Sequence, residues 1–290
     1  MRPSFFNAGC NMPITFAIAA LLASATPEPS PAPLIAAEYG FAADAQRFGV
    51  RMAFLAHFDS DSWLFRPHPV PALAALARDP DDGSPLEWTP EIAGISAGGD
   101  MGFTSGPWSA HAPGVQTGAY GHFLTVWKRG TDGIWRVQVD GGIGHPPLER
   151  PTGEVKTVSF ARDATSTTAL AADDLARRRS ALEKSDDDLR AARAKPEGGA
   201  ESTWRRFAAS EWRVLRKGHV LTEGADAMTL AAQDPAQLGS GPRRALDIAG
   251  SGDLAYTIGG DAECKACGSY YRIWGWQDGG WRLVVDLEKP

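Results

Sequence analysis

The sequence WKRGTDGIWRVQVD at residues 127–140 recurs in shortened form as WGWQDGGWRLVVD at residues 274–286. Each copy has an apolar run, an Asp-Gly pair and a second run that begins with Trp and ends with Asp. An Asp-Gly pair between two such runs is a strong signal for a β-hairpin. The two segments therefore predict matching hairpins, one in each half of the chain.

Two further blocks recur upstream of the hairpins. GDMGFTSG at 99–106 matches GDLAYTIG at 252–259, and DSWLFR at 61–66 matches EWRVLR at 211–216 more weakly. The blocks keep their order and their approximate spacing. The chain is therefore predicted to contain two copies of one domain, each of roughly 110 residues.

Each copy begins with a helical pattern and continues with short β-type runs. In the first copy, apolar residues recur at helical spacing from Leu34 to Phe58, with a break at Phe48-Gly49. Helices followed by successive strands predict an α+β fold with antiparallel sheets. The predicted boundaries are 36–146 for the first domain, 147–179 for a linker and the start of a helix, and 180–290 for the second domain.

The second copy opens with a charged segment at residues 170–195 that is predicted to be helical. It contains the triplets Arg177-Arg178-Arg179 and Asp186-Asp187-Asp188. Charge runs of this kind are typical of a solvated helix face, and we interpret both triplets in that way.

The N-terminal segment has the pattern of an export signal. Residues 14–23 form an apolar run too short to span a bilayer comfortably, and Ala23-Ser24-Ala25 fits a signal-peptidase site. We predict a signal peptide over 1–25, a proline-rich spacer over 26–35, and a periplasmic or secreted protein with no membrane contact after cleavage. The alternative is an anchor that stays attached to the membrane.

Cysteine usage and charge exclude several classes of function. Cleavage leaves Cys264 and Cys267, and in an oxidising compartment this pair predicts a local disulfide, with free thiols or a functional pair as alternatives. No second Cys-x-x-Cys, paired His or phosphate-binding glycine motif occurs, so neither a metal nor a cofactor is predicted. The 29 Lys and Arg against 35 Asp and Glu give a net charge of −6. That balance lacks the electrostatic footprint of a general nucleic-acid binder.

The first copy resembles the SnoaL-like, nuclear transport factor 2-like superfamily, and more narrowly its branch of exported domains of unknown function. The resemblance covers residues 36–145, and the segments that carry it are AFL at 53–55, FRP at 65–67, GDMGFTSGPW at 99–108 and WRV at 135–137. The second copy is degenerate and keeps mainly the sheet residues.

The resemblance implies two tandem cone-shaped domains. Each would be a strongly curved antiparallel sheet wrapped around N-terminal helices, with an apolar cavity at the wide end. Domains of this superfamily often dimerise through the sheet, so we expect an intrachain sheet contact between the two copies, with a homodimer as a further possibility.

The superfamily includes ketosteroid-isomerase-like enzymes, whose general-base Asp stands just before a Pro on the first strand. In this chain that position holds Arg66, followed by Pro67, and an arginine cannot accept the substrate proton. Dehydratase relatives use a His–Asp pair, for which His122, Asp140 and His145 are the candidate parts. The alternative for His145 is a loop residue that simply ends the sheet.

The same alignment with the superfamily places Arg66 at the cavity mouth, where a guanidinium suits a carboxylate or phosphate. The alternative is an Arg66 paired with a neighbouring acid such as Asp61. The tryptophans could line the cavity or serve as packing. The candidate ligand-binding residues are Leu64, Arg66, Trp88, Trp108 and Trp127.

Three hypotheses for function follow. The first is a non-catalytic protein that binds a small amphipathic or anionic molecule in the first domain's cavity. The second is a weak lyase or isomerase-like enzyme that uses a His–Asp pair. The third is a structural or interaction module with closed cavities. The second copy lacks the Phe-Arg-Pro segment, so we expect its cavity to be filled by its own side chains.

Overall fold

The structure is a computed structural model that describes Met1 and residues 29–78, 83–111, 118–148, 153–159, 167–264 and 266–290. The predicted signal peptide and the start of the spacer fall almost entirely on residues 2–28, outside the described residues. Among the helices of the described segments, none is long and apolar enough to cross a membrane.

The first half of the chain, called unit 1 below, forms helices α1 to α3 and strands β1 to β8. Pro33 lies in the first turn of α1, where its missing N–H costs nothing, and Gly49 separates α1 from α2 with a φ of 89°. The elements are α1 (Ala32–Phe48), α2 (Val50–His57), β1 (Phe58–Arg66), β2 (His68–Pro71), α3 (Ala72–Arg78), β3 (Leu86–Trp88), β4 (Ile92–Ile95), β5 (Met101–Ala110), β6 (Ala119–Arg129), β7 (Trp135–Gly144) and β8 (Lys156–Thr157).

The second half, called unit 2, repeats the order of helices and then strands. Its final turn has Asp278 and Gly279 at φ values of 50° and 73°, as an Asp-Gly hairpin turn requires. The elements are α4 (Ala172–Ala194), α5 (Ala200–Phe207), β9 (Ala208–Leu215), β10 (Thr222–Glu223), α6 (Gly224–Ala231), β11 (Arg243–Ile248), β12 (Leu254–Gly260), β13 (Ser269–Gln277) and β14 (Gly280–Lys289).

Each unit has one sheet, and the expected α+β architecture is confirmed. The strand order is β2-β1-β7-β6-β5-β4-β8 in unit 1, with β3 also paired to β5, and β10-β9-β14-β13-β12-β11 in unit 2. Trp135 and Trp281 both stand at the start of the last long strand of their sheet. The predicted hairpins therefore occupy the same place in both units.

The sheets are mixed, whereas purely antiparallel sheets were predicted. β1 pairs with β7 in parallel, and β9 pairs with β14 in parallel. Parallel neighbours need a long crossover between them, and here the crossover is the remainder of the unit. Local turn signals cannot reveal a pairing of this kind.

The predicted linker contributes to the first sheet. Lys156 and Thr157 pair in parallel with Ile92 and Ala93, and the following Val158 is buried. This short strand covers the edge of β4, which would otherwise present unpaired backbone groups to solvent.

The two sheets pack face to face through one hydrophobic core. Phe65, Leu124 and Val139 of unit 1 belong to the same buried cluster as Ile258 and Leu287 of unit 2. Each sheet is therefore covered by the other sheet on one face and by its own helices on the other face.

Reciprocal hydrogen bonds also join the two units, each from a backbone N–H of one unit to an aspartate of the other. The Ala97 N–H donates to Asp253 at 2.8 Å, and the Gly250 N–H donates to Asp100 at 2.7 Å. Within the matching blocks, Asp100 and Asp253 occupy the same position. The contact is thus the same in both directions, as in a two-fold interface between identical subunits.

One of the predicted solvated triplets is partly buried. Asp186 has no exposed surface, and its carboxylate accepts hydrogen bonds from the Thr257 hydroxyl, the Tyr270 hydroxyl and the Arg272 guanidinium at 2.9, 2.9 and 3.2 Å. Its neighbour Asp187 has a side chain that is 51% exposed, as expected for a solvated face. The three donors supply the polar contacts that a buried carboxylate needs.

We predict that Asp186→Asn lowers the free energy of unfolding by roughly 1.5–3 kcal/mol, because the variant removes one of the three buried carboxylates that pair with the Arg272 guanidinium. Urea unfolding measures this change. The control is Asp187→Asn on the next residue, which should cost less than about 1 kcal/mol because exposed pairs contribute little. Equal costs for the two variants would contradict the assigned burial.

Candidate functional site

A cavity of about 280 Å³ lies in unit 1 between the helices and the sheet. This volume is near the lower end of the range for small-molecule sites. Its charged groups are Arg66, Asp140 and Lys289. Its aromatic walls come from Phe41, Phe54, Phe65, Trp88, Trp108 and Phe123.

Two other clefts, of about 450 Å³ each, lie on the surface. One runs along α4 and α5, and the other lies beside Gly49. Neither is lined by an aromatic side chain. The unit 1 cavity alone among these three combines apolar walls with converging charges, which is the usual composition of a ligand site.

Two glycines let β7 approach both of its neighbours, β1 and β6, beside the cavity. Gly141 and Gly142 follow Asp140 on β7 and line the cavity. A Cβ added at Gly141 would lie 2.5 Å from the Phe65 Cβ, and one added at Gly142 would lie 2.5 Å from the His122 carbonyl oxygen. Side chains at these positions would force the strands apart.

Asp140 is half-buried at the cavity. Its Oδ1 accepts a hydrogen bond from the Thr125 hydroxyl at 2.8 Å. Burial raises the pKa of Asp140 to about 6, and the Thr125 hydrogen bond and the positive charges of Arg66 and Lys289 oppose that rise. The carboxyl therefore changes its charge within the range of ordinary biological pH.

Lys289 comes from β14 of unit 2, so unit 2 supplies one wall residue of the unit 1 cavity. Its Nζ donates to the Phe65 carbonyl oxygen at 2.9 Å and lies 5.1 Å from the centroid of the Phe65 ring. Burial lowers the pKa of Lys289 to about 8, the Asp140 carboxylate opposes this change, and the Arg66 charge adds to it.

Arg66 lines the cavity from the end of β1 and is exposed. Its guanidinium carbon lies 5.8 Å from the centroid of the Phe54 ring. Two of the predicted tryptophans, Trp88 and Trp108, line the same cavity. The structure thus brings together three of the five predicted ligand-binding residues.

The other two predicted ligand-binding residues, Leu64 and Trp127, do not line the cavity. Leu64 is 1% exposed and packs among the buried side chains between the helices and the sheet of unit 1. Trp127 is completely buried in the helix-facing core, and its indole N–H donates to the Glu38 carboxylate at 2.9 Å.

Glu38 is a buried acid on α1 that sequence reasoning missed. Its carboxylate accepts hydrogen bonds from Trp88, Thr104 and Trp127, and burial raises its pKa to about 7 against the effect of these donors. The available signal was its spacing, since Glu38 follows Leu34 by four residues on the core-facing side of α1.

Unit 2 contains the counterpart of this arrangement. Asp186 accepts from the Thr257 hydroxyl at 2.9 Å, and the Trp274 indole N–H donates to the same hydroxyl at 2.9 Å. In unit 1 the Trp127 indole donates to Thr104 at 3.2 Å. The helix acid, the strand threonine and the strand tryptophan thus form the same contacts in both units.

The region of unit 2 that matches the cavity is filled by ion pairs. Arg216 ends its block as Arg66 does, and it donates to Asp286 at 2.6 Å and to Asp234 at 2.9 Å. Asp286 holds the same place at the end of its hairpin segment as Asp140. The arginine–aspartate combination that lines an open cavity in unit 1 is therefore buried and paired in unit 2.

The unit 2 ion pairs extend into a larger network. Burial and the neighbouring Asp286 raise the pKa of Glu288 to about 7, although the Arg216 and Arg193 charges oppose this. The guanidinium and carboxylate groups of the network have almost no exposed surface. They belong to Arg193, Arg216, Arg272, Asp186, Asp234, Asp286 and Glu288.

The structure does not form the predicted His–Asp pair. His122 Nε2 lies 2.8 Å from Glu91 Oε1, and His122 Nδ1 lies 2.7 Å from His145 Nε2. Asp140 is bonded to Thr125 instead. Because His122 and Thr125 are three residues apart on β6, their side chains point to opposite faces of the sheet. His122 and His145 therefore lie together, whereas Asp140 lies on the other face of the sheet, and the three candidate catalytic residues do not form one site.

Cys264 and Cys267 form a disulfide in the connection between β12 and β13, with their Cα atoms 5.3 Å apart. Within the described residues, no group of three or more His, Cys, Asp or Glu side chains is arranged to hold a metal ion.

The chain was compared with protein-family models, with curated proteins and with solved structures. No protein-family model and no curated protein matches the chain. Among solved structures, the chain is similar to an NTF-2-like protein of unknown function from Shewanella oneidensis, with 14% identity, a TM-score of 0.33, and coverage of 39% of this chain and 98% of that chain.

Two further solved structures are similar over a comparable share of the chain. A ketosteroid isomerase-like protein from Erwinia carotovora atroseptica has 16% identity, a TM-score of 0.33, and coverage of 39% of this chain and 93% of that chain. A Δ5-3-ketosteroid isomerase from a Mycobacterium species has 18% identity, a TM-score of 0.30, and coverage of 38% of this chain and 91% of that chain.

We predict that the pH dependence of stability includes a contribution from Glu38. Its folded-state pKa of about 7 lies above the ordinary value of 4.5, so its stabilising effect is complete below pH 4.5 and is lost as the pH rises through 7. The free energy of unfolding should therefore fall over this range, by about 3 kcal/mol at most.

Urea unfolding between pH 4.5 and 7.5 measures this contribution in wild type and in Glu38→Gln, which cannot ionise. The slope should be shallower in Glu38→Gln. Glu201→Gln, on an exposed helix, is the control for loss of a carboxylate. A slope in Glu38→Gln as steep as in wild type would contradict the assignment.

Proposed function

We propose that the protein binds a small amphipathic anion in the unit 1 cavity without catalysing its conversion. The observation that carries this proposal is the combination of aromatic walls with Arg66 and Lys289 at one cavity. Aromatic rings bury the apolar body of a ligand, and cations hold a carboxylate in a fixed direction.

The charge balance supports an anionic rather than a cationic ligand. Two cationic side chains and one acid line the cavity, and the acid has a pKa of about 6. A bound carboxylate would be attracted by Arg66 and Lys289, whereas a bound cation would face both of them. Below pH 6 the balance favours an anion further, because Asp140 becomes neutral.

Unit 2 serves in this proposal as a folded support. Its ion pairs fill the region that would otherwise be a second cavity, and its last strand supplies Lys289. The face-to-face sheets and the reciprocal contacts of Asp100 and Asp253 support the proposal that two copies of one domain form a dimer-like pair within one chain.

The proposal includes export to the periplasm or the exterior. It is supported by the apolar run at residues 14–23, the small residues that follow it, and a disulfide between Cys264 and Cys267 that suits an oxidising compartment.

We predict that Arg66→Ala weakens the binding of 3-phenylpropanoate by roughly 1.5–3 kcal/mol, the size of a hydrogen bond to a charged group. Isothermal titration calorimetry with the full chain measures this loss. The control is Arg47→Ala, which removes an exposed arginine from α1 outside the cavity lining and should leave the affinity unchanged. An unchanged affinity in Arg66→Ala would contradict the proposed site.

The affinity for the same ligand should rise as the pH falls from 7.5 to 5.5, by up to about tenfold, because Asp140 loses its negative charge as the pH falls through 6. Asp140→Asn removes this titration, so its affinity should vary less with pH and exceed that of wild type at pH 7. Calorimetry across this range tests both statements. A wild-type pH profile in Asp140→Asn would show that another group is responsible.

A further inference from the structure

The Lys289 amine is an unusual feature of a cavity with aromatic walls. We propose that Lys289 captures a carbonyl ligand as a reversible imine inside the unit 1 cavity. This inference rests on the proposed function, since it uses the same cavity, and it narrows the ligand to an aldehyde or ketone that also carries an anionic group.

The position of the amine suits nucleophilic attack. One N–H is directed to the Phe65 carbonyl oxygen at 2.9 Å, and Lys289 is one of the residues that line the cavity. A neutral amine with one N–H held in this way keeps its lone pair for a bound carbonyl carbon. The aromatic rings limit the water that would return an imine to amine and carbonyl.

The surroundings of Lys289 also favour the neutral, nucleophilic form. The charged groups that act on it are Asp140 from β7 and Arg66 from β1, and burial outweighs the effect of Asp140, so that its pKa is about 8. Lysines become nucleophilic when an apolar pocket or a neighbouring cation favours the neutral amine, and both conditions hold here.

The step balances without an oxidant or a reductant. The amine nitrogen attacks the carbonyl carbon and forms a C–N bond, while the C=O π electrons move to oxygen and a proton passes from nitrogen to that oxygen. The C–O bond of this carbinolamine then breaks as the nitrogen lone pair forms the C=N bond. The oxygen takes a proton from the Asp140 carboxylic acid and leaves as water, and the Asp140 carboxylate stabilises the iminium charge.

Arg66 determines which carbonyl compounds fit. Its guanidinium lies on the same cavity wall and can hold a carboxylate on the ligand, while the rings accept an apolar body. A 2-oxo acid with an aromatic group satisfies these requirements, and phenylpyruvate is a suitable probe.

Reductive trapping tests the proposal. The full-length protein is incubated with phenylpyruvate and sodium cyanoborohydride, which converts an imine into a stable amine, and the product is analysed by intact mass and peptide mapping. We expect one adduct per chain, on Lys289, with a rate that is greatest between about pH 6 and pH 8, because the step needs both a protonated Asp140 carboxyl and a neutral Lys289 amine. The exposed Lys184, whose side chain is 74% exposed, should react far more slowly.

Two variants distinguish loss of the Lys289 amine from a general effect of substituting a lysine. Lys289→Arg keeps the positive charge but removes the nucleophile, so it should form no specific adduct with phenylpyruvate. Lys184→Met is the matched control and should be labelled at Lys289 like wild type. Labelling of Lys289 no faster than Lys184 in the wild-type protein would overturn the inference, even if a variant failed to fold.

The results also distinguish the inference from the proposed function. Binding of 3-phenylpropanoate without an adduct on Lys289 would overturn imine formation and leave the anion site standing. Trapping of benzaldehyde on Lys289 without any binding of 3-phenylpropanoate would support the reactive amine and contradict the anion site.

Discussion

The structure depends on the hydrophobic core between the two sheets. Side chains from both sheets pack against each other in this core, and the inner face of each sheet is buried there. The helices of each unit pack on the outer face of its own sheet. The contact between the two sheets brings the end of β14 beside Phe65, which is how Lys289 reaches the cavity of the other unit.

The two units share an internal framework and differ in what fills it. In both, a helix acid is bonded to a strand threonine that also accepts from a strand tryptophan. In unit 2 the space beyond is occupied by buried ion pairs around Arg216 and Arg272. Such pairs contribute little net stability, because desolvation offsets most of their attraction, but losing one partner is costly. Because these ion pairs occupy the region that matches the unit 1 cavity, unit 2 has no open cavity there among its described residues.

In unit 1 the corresponding polar groups are fewer, and aromatic side chains line the remaining space. Thr125 stands opposite Asp140 on the neighbouring strand, where unit 2 has Arg272 opposite Asp286. A threonine is too short to fill the space that an arginine fills. The exchange of a paired arginine for a threonine is one physical reason why unit 1 has an open cavity.

Much of the fold could be predicted from local signals, because the Asp-Gly turns, the helix break at Gly49 and the recurring Trp positions act through neighbouring residues. The parallel pairing of β1 with β7 could not, since it depends on contacts far apart in the chain. Helical spacing places Glu38 and Asp186 on the core-facing side of their helices. It does not show that the strands opposite them provide hydrogen-bond donors. Arg66 followed from the resemblance, whereas Lys289 lies in the other unit and had no signal beyond its charge.

We propose that the unit 1 cavity holds an anion through Arg66 and Lys289, and that the described part of unit 2 has no comparable open cavity. A crystal structure of the protein with 3-(4-bromophenyl)propanoate tests it most directly, because the bromine is located by its anomalous signal. We expect one peak among the aromatic rings of unit 1, with the carboxylate directed to Arg66 and Lys289. A peak within unit 2, or only in the surface clefts, would contradict it.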